Sequence, residues 1–191
     1  MSAERGRAQA YVELLAEDPE ATSARAVARE RLEAGRRLLT LRRVRLFELA
    51  GELPPPAELA SLLHRSTQFY NPAKERMSVR SSDREPAPFR AEEALLLVVN
   101  RGLERRAAAE RWWRHEAGAR VDVREGTVWA LAFEPGEDAA ARAAALAVVE
   151  DRRHGLFANA SFQDCRPGGV GASPPWPWLE RPRRRAKEDR P

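Results

Sequence analysis

The chain has 191 residues, 43% of them hydrophobic, which suffices for one domain with an appendage or for two small domains. Its single cysteine, Cys165, excludes an internal disulfide and any zinc centre built on several thiolates, and no apolar run approaches the roughly 20 residues that cross a bilayer. The pI of 9.9 is a tail property: residues 181–191 hold six Lys or Arg and two acids, a local charge of +4 that equals the whole chain's, so residues 1–180 sum to zero.

The start, Met1-Ser2-Ala3-Glu4-Arg5, lacks a basic-then-apolar signal, so a soluble, cytoplasmic protein is expected. Residues 3–17 are expected to be helical, with Ala10, Val12, Leu14 and Leu15 as the apolar set. Asp18-Pro19 reads as an N-cap followed by proline at the first helical position. A long helix is predicted from there to about Leu49, its second half strongly basic. Gly51 and Pro54-Pro55-Pro56 stop it, and a short helix over 57–64 follows. Residues 66–80 form a polar-aromatic segment with a turn signal at Asn71-Pro72, and 81–90 read as a linker. No internal repeat is apparent. The expected organisation is a helical region at 1–66, a segment and linker at 67–92, a folded domain at 93–166 and a flexible Pro/Arg-rich tail at 167–191.

Residues 93–166 carry the clearest pattern. Ala94–Val99 is apolar on both faces and should be a central strand. A helix over 104–117 ends at Gly118. Val121-Asp122-Val123-Arg124 alternates, as an edge strand does, and Glu125-Gly126 supplies a turn into a second central strand, 127–133. An Ala-rich helix over 138–153 and a polar strand over 161–166 complete the order β-α-β-β-α-β. That is the ferredoxin-like unit, so the expected class is α+β, a ferredoxin-like βαββαβ sandwich preceded by helices. Both helices would cover one sheet face. Burying the other should contribute a few kcal/mol, at ~25 cal/mol per Å², so a cover from the N-terminal helices or another subunit is predicted.

Two short motifs carry a resemblance. Val123-Arg124-Glu125-Gly126 resembles a turn of the PurS family, the small subunit of bacterial phosphoribosylformylglycinamidine synthase. Leu156-Phe157-Ala158-Asn159-Ala160-Ser161-Phe162-Gln163-Asp164 is similar to that family's closing motif, with Ala160 where the family has proline. The likeness covers about residues 93–166. It implies a non-catalytic subunit of a ligase or amidotransferase complex in purine biosynthesis. Such subunits pair through their sheets and bridge a synthetase to a glutaminase. The implied partner interface is Leu96, Val98, Trp129, Leu131 and Asn159.

Other candidates come from residue chemistry. Arg65, Tyr70, Asn71, Lys74, Arg76 and Arg80 would suit a phosphate, a carboxylate or a partner, or else they cap turns and face water. Arg36, Arg37, Arg42, Arg43 and Arg45, with Arg183, Arg184 and Arg185, could grip nucleic-acid phosphates, or else they form the wet face of a packed helix. Trp176 and Trp178 between prolines read as a docking peptide or as part of a disordered tail. His64, His115 and His154 share no ligand spacing, so no metal or other cofactor is expected. Cys165 is expected to be a packed side chain. No acid–base pair, phosphate loop or nucleophile elbow stands out. The expected function is a non-catalytic assembly or regulatory subunit, with a nucleic-acid binder as the alternative and a small-molecule enzyme using residues 64–80 as a third reading.

Overall fold

Alternation decides the first element. In Ala8-Gln9-Ala10-Tyr11-Val12-Glu13 every second residue is small and apolar, which suits a strand with two different faces. The computed structural model, which describes residues 6–171 and 174–180, forms strand β1 (Gly6–Leu14) here, not the expected helix. Asp18 caps helix α1 (Pro19–Arg31) as expected, accepting from the Glu20 and Ala21 amides at 2.9 and 3.3 Å. The helix does not run on to Leu49. A short turn at Glu33–Gly35 reverses the chain into strand β2 (Leu38–Gly51). The apolar spacing of residues 38–49 satisfies a helix and a strand alike. Ladders on both sides of β2 decide between them, and pairing overrides local propensity.

Helix α2 (Pro56–Arg65) matches its expectation, and strand β3 (Glu75–Arg80) follows. Strand β4 (Ala94–Asn100) is apolar on both faces, and helix α3 (Ala107–Ala117) ends at Gly118, whose φ of 63° is left-handed. The predicted hairpin at Glu125-Gly126 does not form. Residues Val121–Phe133 are one strand, β5, with Gly126 paired to Leu46 in mid-ladder. Helix α4 (Ala139–Ala147) stops earlier than expected. A short parallel pair, β6 (Val148–Val149) with β7 (Ala158–Asn159), leads into β8 (Gln163–Val170).

The chain is therefore mixed α/β with an antiparallel six-stranded sheet, ordered β3-β1-β2-β5-β4-β8. Its N-terminal region alternates strands with helices α1 and α2 and is not the expected all-helical region, and its second half runs β-α-β-α-β around the small pair, not βαββαβ. The β2–β5 ladder, from Leu38 beside Phe133 to Gly51 beside Val121, joins both sides of the expected 67–92 boundary region in one sheet.

Among the described residues, all four helices lie on one face. Helices α1 and α4 bury Ala28 and Leu146 against Leu41, Leu96, Trp129 and Leu131. Helices α2 and α3 bury Leu63 and Trp113 against Ala10, Val12, Phe47 and Val123. Leu41 and Phe47 share one side of β2, and Val123 and Trp129 one side of β5, so both helix pairs cover the same side. The opposite face carries Tyr11, Val44, Leu46, Leu97 and Val128. It is covered by Phe89 from the linker and by Trp178 and Leu179. The cover comes from the chain's own linker and C-terminal segment, where N-terminal helices or another subunit were expected.

The strand order reads alike from both edges because the two halves, β1-α1-β2-α2-β3 and β4-α3-β5-α4-β8, are equivalent about an approximate two-fold axis. Phe69 and Phe157, Asn71 and Asn159, and Glu75 and Gln163 each stand 88 positions apart. Phe69 packs on Phe47 with centroids 5.3 Å apart, and Phe157 on Trp129 at 4.8 Å. Asn71 accepts from the Ala73 amide at 3.0 Å, and Asn159 from that of Ser161 at 2.9 Å. The Asn71 amide donates to Glu75 at 2.6 Å, and that of Asn159 to Gln163 at 2.8 Å. The internal repeat missed in the sequence is thus a Phe-x-Asn turn that launches each edge strand.

Candidate functional site

The axis passes between Arg45 and Thr127, which face each other in the ladder. Here, at the waist of the helix-covered face, β1 and β4 end and their chains leave the sheet. Each exit is pinned to its edge strand's turn by one backbone bond. The Leu15 amide donates to the Lys74 carbonyl at 2.9 Å, and the Arg101 amide to that of Phe162 at 2.9 Å. Beyond the pins lie two clefts, one at each exit. One, of about 310 Å³, is lined by Leu14, Leu15, Asp18, Arg25 and Arg43. The other, of about 200 Å³, is lined by Val98, Asn100, Leu103, Glu125, Thr127 and Gln163.

The waist between the helix pairs is an alternating row of charge. Arg43 Nε donates to Asp18 at 2.8 Å, and Arg43 also pairs with Glu20. At the equivalent place Arg106 donates to Glu125 at 2.9 Å, so the pair recurs with its signs exchanged. Arg45 lies between them. It donates to the Phe69 carbonyl and to Glu75, both at 2.9 Å, and stands 3.7 Å from Glu125. Burial alone would raise the Asp18 carboxyl, but the Arg43 hydrogen bond and the Glu20 and Ala21 amides outweigh it. The group is held below its ordinary value. Exposed apolar residues stand at both exits, Leu15 at 61%, Leu103 at 74% and Phe162 at 53%, with the exposed Lys74 beside Leu15 at the first. Sequence reasoning placed Leu15 in the apolar set of a helix and Phe162 in the closing motif, and took none of the three as a site residue. The 88-residue spacing of Asp18 to Arg106 and of Lys74 to Phe162 is the signal that points to this region.

The residues expected to gather around an anion do not converge. Arg65 and Lys74 are exposed, Tyr70 is buried on the helix-covered side with its hydroxyl on His64, and Asn71 closes its turn. Arg76 and Arg80 register with Glu13 and Gln9 of β1 and face the opposite side of the sheet. Arg76 pairs with Glu13 at 3.0 Å. Leu96, Val98, Trp129 and Leu131, expected at an open interface, are buried beneath α1 and α4, while Asn159 is exposed.

The Arg-rich segment lies on a turn and a strand, and each of its arginines meets acid. Arg36 pairs with Glu33 at 3.0 Å, Arg37 with Glu137 at 3.2 Å, and Arg42 with Glu93 at 3.1 Å. Arg42 points away from the helices while Arg43 and Arg45 point toward them, because strand neighbours alternate. They form no common basic face. Arg183, Arg184 and Arg185 lie outside the described residues.

His115 bonds Glu116 and His154 bonds Asp151. Among the described residues no three His, Cys, Asp or Glu converge as metal ligands, and no helix is long and apolar enough to cross a membrane. Cys165 packs beside the α1–α4 core, and burial pushes its thiol up to about 11. Comparison with models of known families, with curated proteins and with solved structures returned no match.

Proposed function

We propose that this protein is a non-catalytic binding subunit that docks a partner protein on the waist of its helix-covered face, at the second-half cleft. One observation carries the reading. Leu103 and Phe162, 74% and 53% exposed, stand on neighbouring loops at the end of the β4–β8 pair, bound together by the Arg101–Phe162 bond. The polar floor of Asn100, Gln163 and Thr127 lies beside them, and the Arg101–Asp164 ion pair, 2.9 Å long, borders the site. Apolar anchors beside polar groups are the anatomy of a protein–protein hot spot.

The narrower form of this reading is a PurS-like bridge between a synthetase and a glutaminase. Its support is the closing motif at 156–164. That motif has a local cause in this fold, since Phe69-Tyr70-Asn71-Pro72 builds the same turn in the first half.

The test is capture from the native host with wild type and with Leu103→Asp/Phe162→Asp, beside light scattering and thermal melts of both. Wild type is expected to retain a protein partner, or a second copy of itself, that the double variant loses at an unchanged melting temperature. A synthetase or glutaminase in the wild-type eluate supports the narrower form. Identical partner sets, or a strict monomer with no partner for either protein, overturn the proposal.

A further inference from the structure

The sheet face away from the helices has a polar centre that links its strands β3, β1 and β2 and also holds residues 174–180. The Glu48 carboxylate, on β2, is buried and accepts three N–H groups: Gln9 Nε2 at 2.7 Å and the backbone amides of Trp178 and Leu179 at 2.5 and 2.6 Å. Burial raises its pKa against the pull of those donors. The buried Arg80 spends its guanidinium on Gln9 and on carbonyls of the 82–85 loop, and reaches the Pro174 carbonyl at 3.2 Å. Its Cζ lies 5.1 Å from the Trp176 ring centroid. Arg166 donates to the carbonyls of Trp178 and Glu180 at 2.9 and 3.1 Å.

Two strand glycines complete the seat. A Cβ at Gly168 would lie 2.7 Å from the Trp178 ring, and one at Gly126 would lie 2.8 Å from Leu179. Glycine inside a strand marks close approach by another group; residues 174–180 supply the nearest one at Gly168, and at Gly126 they share the place with Leu97 of β4, also at 2.8 Å. That segment, Pro-Pro-Trp-Pro-Trp-Leu-Glu, joins no ladder. It is held at two amides by a side chain, at carbonyls by two arginines, by two apolar sockets and by the surface pair Arg7–Glu180 at 2.9 Å. Backbone groups and a few side-chain pockets are also what a groove uses to hold a proline-rich peptide.

We propose that this face is a recognition site for peptides of Pro-Trp-Pro-Trp-Leu chemistry, that residues 174–180 are its resident ligand, and that the site accepts the same chemistry in trans when the resident segment lets go. The site is separate from the waist, on the other side of the sheet, and its test does not depend on the partner proposed above.

Amide exchange of the wild-type full chain comes first. The Trp178 and Leu179 amides are expected to exchange at least about tenfold faster than those of the β2–β5 ladder, through a local opening that leaves the sheet folded. Exchange of both sets together, only by global unfolding, overturns the proposal.

A labelled peptide of residues 174–180 is then titrated into full-length Trp178→Ala/Leu179→Ala by fluorescence anisotropy. Saturable binding is expected. It should be at least about tenfold weaker to wild type, whose tethered segment competes at high effective concentration. Adding Gly168→Val to the receiving chain should abolish it. Absence of binding to the folded variant, equal binding to wild type, or indifference to Gly168→Val each overturn the proposal. So does a strap variant that no longer folds, since the segment is then part of the core.

Discussion

Gly126→Ala discriminates sharply between two readings of residues 121–133. At a hairpin turn the cost of alanine would come from backbone conformation and would ignore the C-terminal segment. In mid-strand, where φ at Gly126 is not left-handed, the cost is steric. The new Cβ would lie 2.8 Å from both Leu179 Cδ2 and Leu97 Cδ1, against an ordinary carbon contact of about 3.5–4 Å. Each leucine must retreat by roughly 1 Å, and both are buried. Overpacking of this kind costs about 1–3 kcal/mol. Removing a glycine from a strand returns about 0.5–1 kcal/mol. The net expectation is a loss of up to about 2.5 kcal/mol.

The second half of the prediction is a coupling. Leu179→Ala alone is expected to cost about 2–5 kcal/mol as a buried truncation. Release of the 174–180 segment sets a ceiling on both single costs, because a displaced segment loses nothing further. In the double variant the clash with Leu179 is gone while that with Leu97 remains. Its cost should fall below the sum of the singles by about 1 kcal/mol. Urea unfolding of the four proteins, followed by far-UV circular dichroism, gives the cycle. Additivity within about 0.3–0.5 kcal/mol would refute the seat of Leu179 over Gly126.

Asp18→Asn keeps the helix cap and removes the charge facing Arg43, so at neutral pH it should cost up to about 1 kcal/mol. The native Asp18 pKa is depressed, so its contribution is complete above the ordinary value of 3.8 and lost as pH falls through the lower folded value. The gap between wild type and variant in urea titrations should therefore shrink below pH 3.8, and a gap that widens there contradicts the assignment. For Cys165, with its thiol pushed up to about 11, reaction with a thiol reagent should stay slow near the ordinary thiol value of about 8.5 and accelerate on unfolding; fast labelling of the native chain would show an exposed thiolate. Phe69→Ala and Phe157→Ala occupy equivalent anchors, so each should cost about 3–5 kcal/mol. Because the β2–β5 ladder joins the halves, each variant should still unfold in one transition by two probes, and separate transitions would break the one-sheet description.

What the sequence disclosed followed local chemistry. Asp18-Pro19 capped α1, Pro56–Arg65 was helical, Gly118 ended α3, and Ala94–Val99, greasy on both faces, formed an inner strand. What it concealed depended on distant partners. Residues 38–49 satisfy two periodicities, and only the ladders to β1 and β5 choose between them. Glu125-Gly126 has the composition of a turn, but its glycine exists to admit Leu97 and Leu179, the second lying more than fifty positions away. Trp176 and Trp178, read as a docking peptide or part of a loose tail, do dock, on the chain's own sheet. The repeat escaped notice because it survives as anchors, Phe69 with Asn71 and Phe157 with Asn159, while the residues between them have changed.

Those changes bear on binding. The scaffold is two-fold, but its waist is not. Asp18 with Arg43 answers Arg106 with Glu125, so the field across one cleft opposes that across the other. At one rim the equivalent position is Lys74 and at the other Phe162. An apolar partner surface gains from burying Phe162 and Leu103, whereas at the first half it would have to desolvate an ammonium. Equivalent backbones with unequal rims therefore offer one productive seat, not two. A partner bound at the waist should sit at a ratio of one per chain, on the β4–β8 side. Binding of two partners per chain, or loss of binding on Leu15→Asp with none on Leu103→Asp, would place the seat at the wrong end.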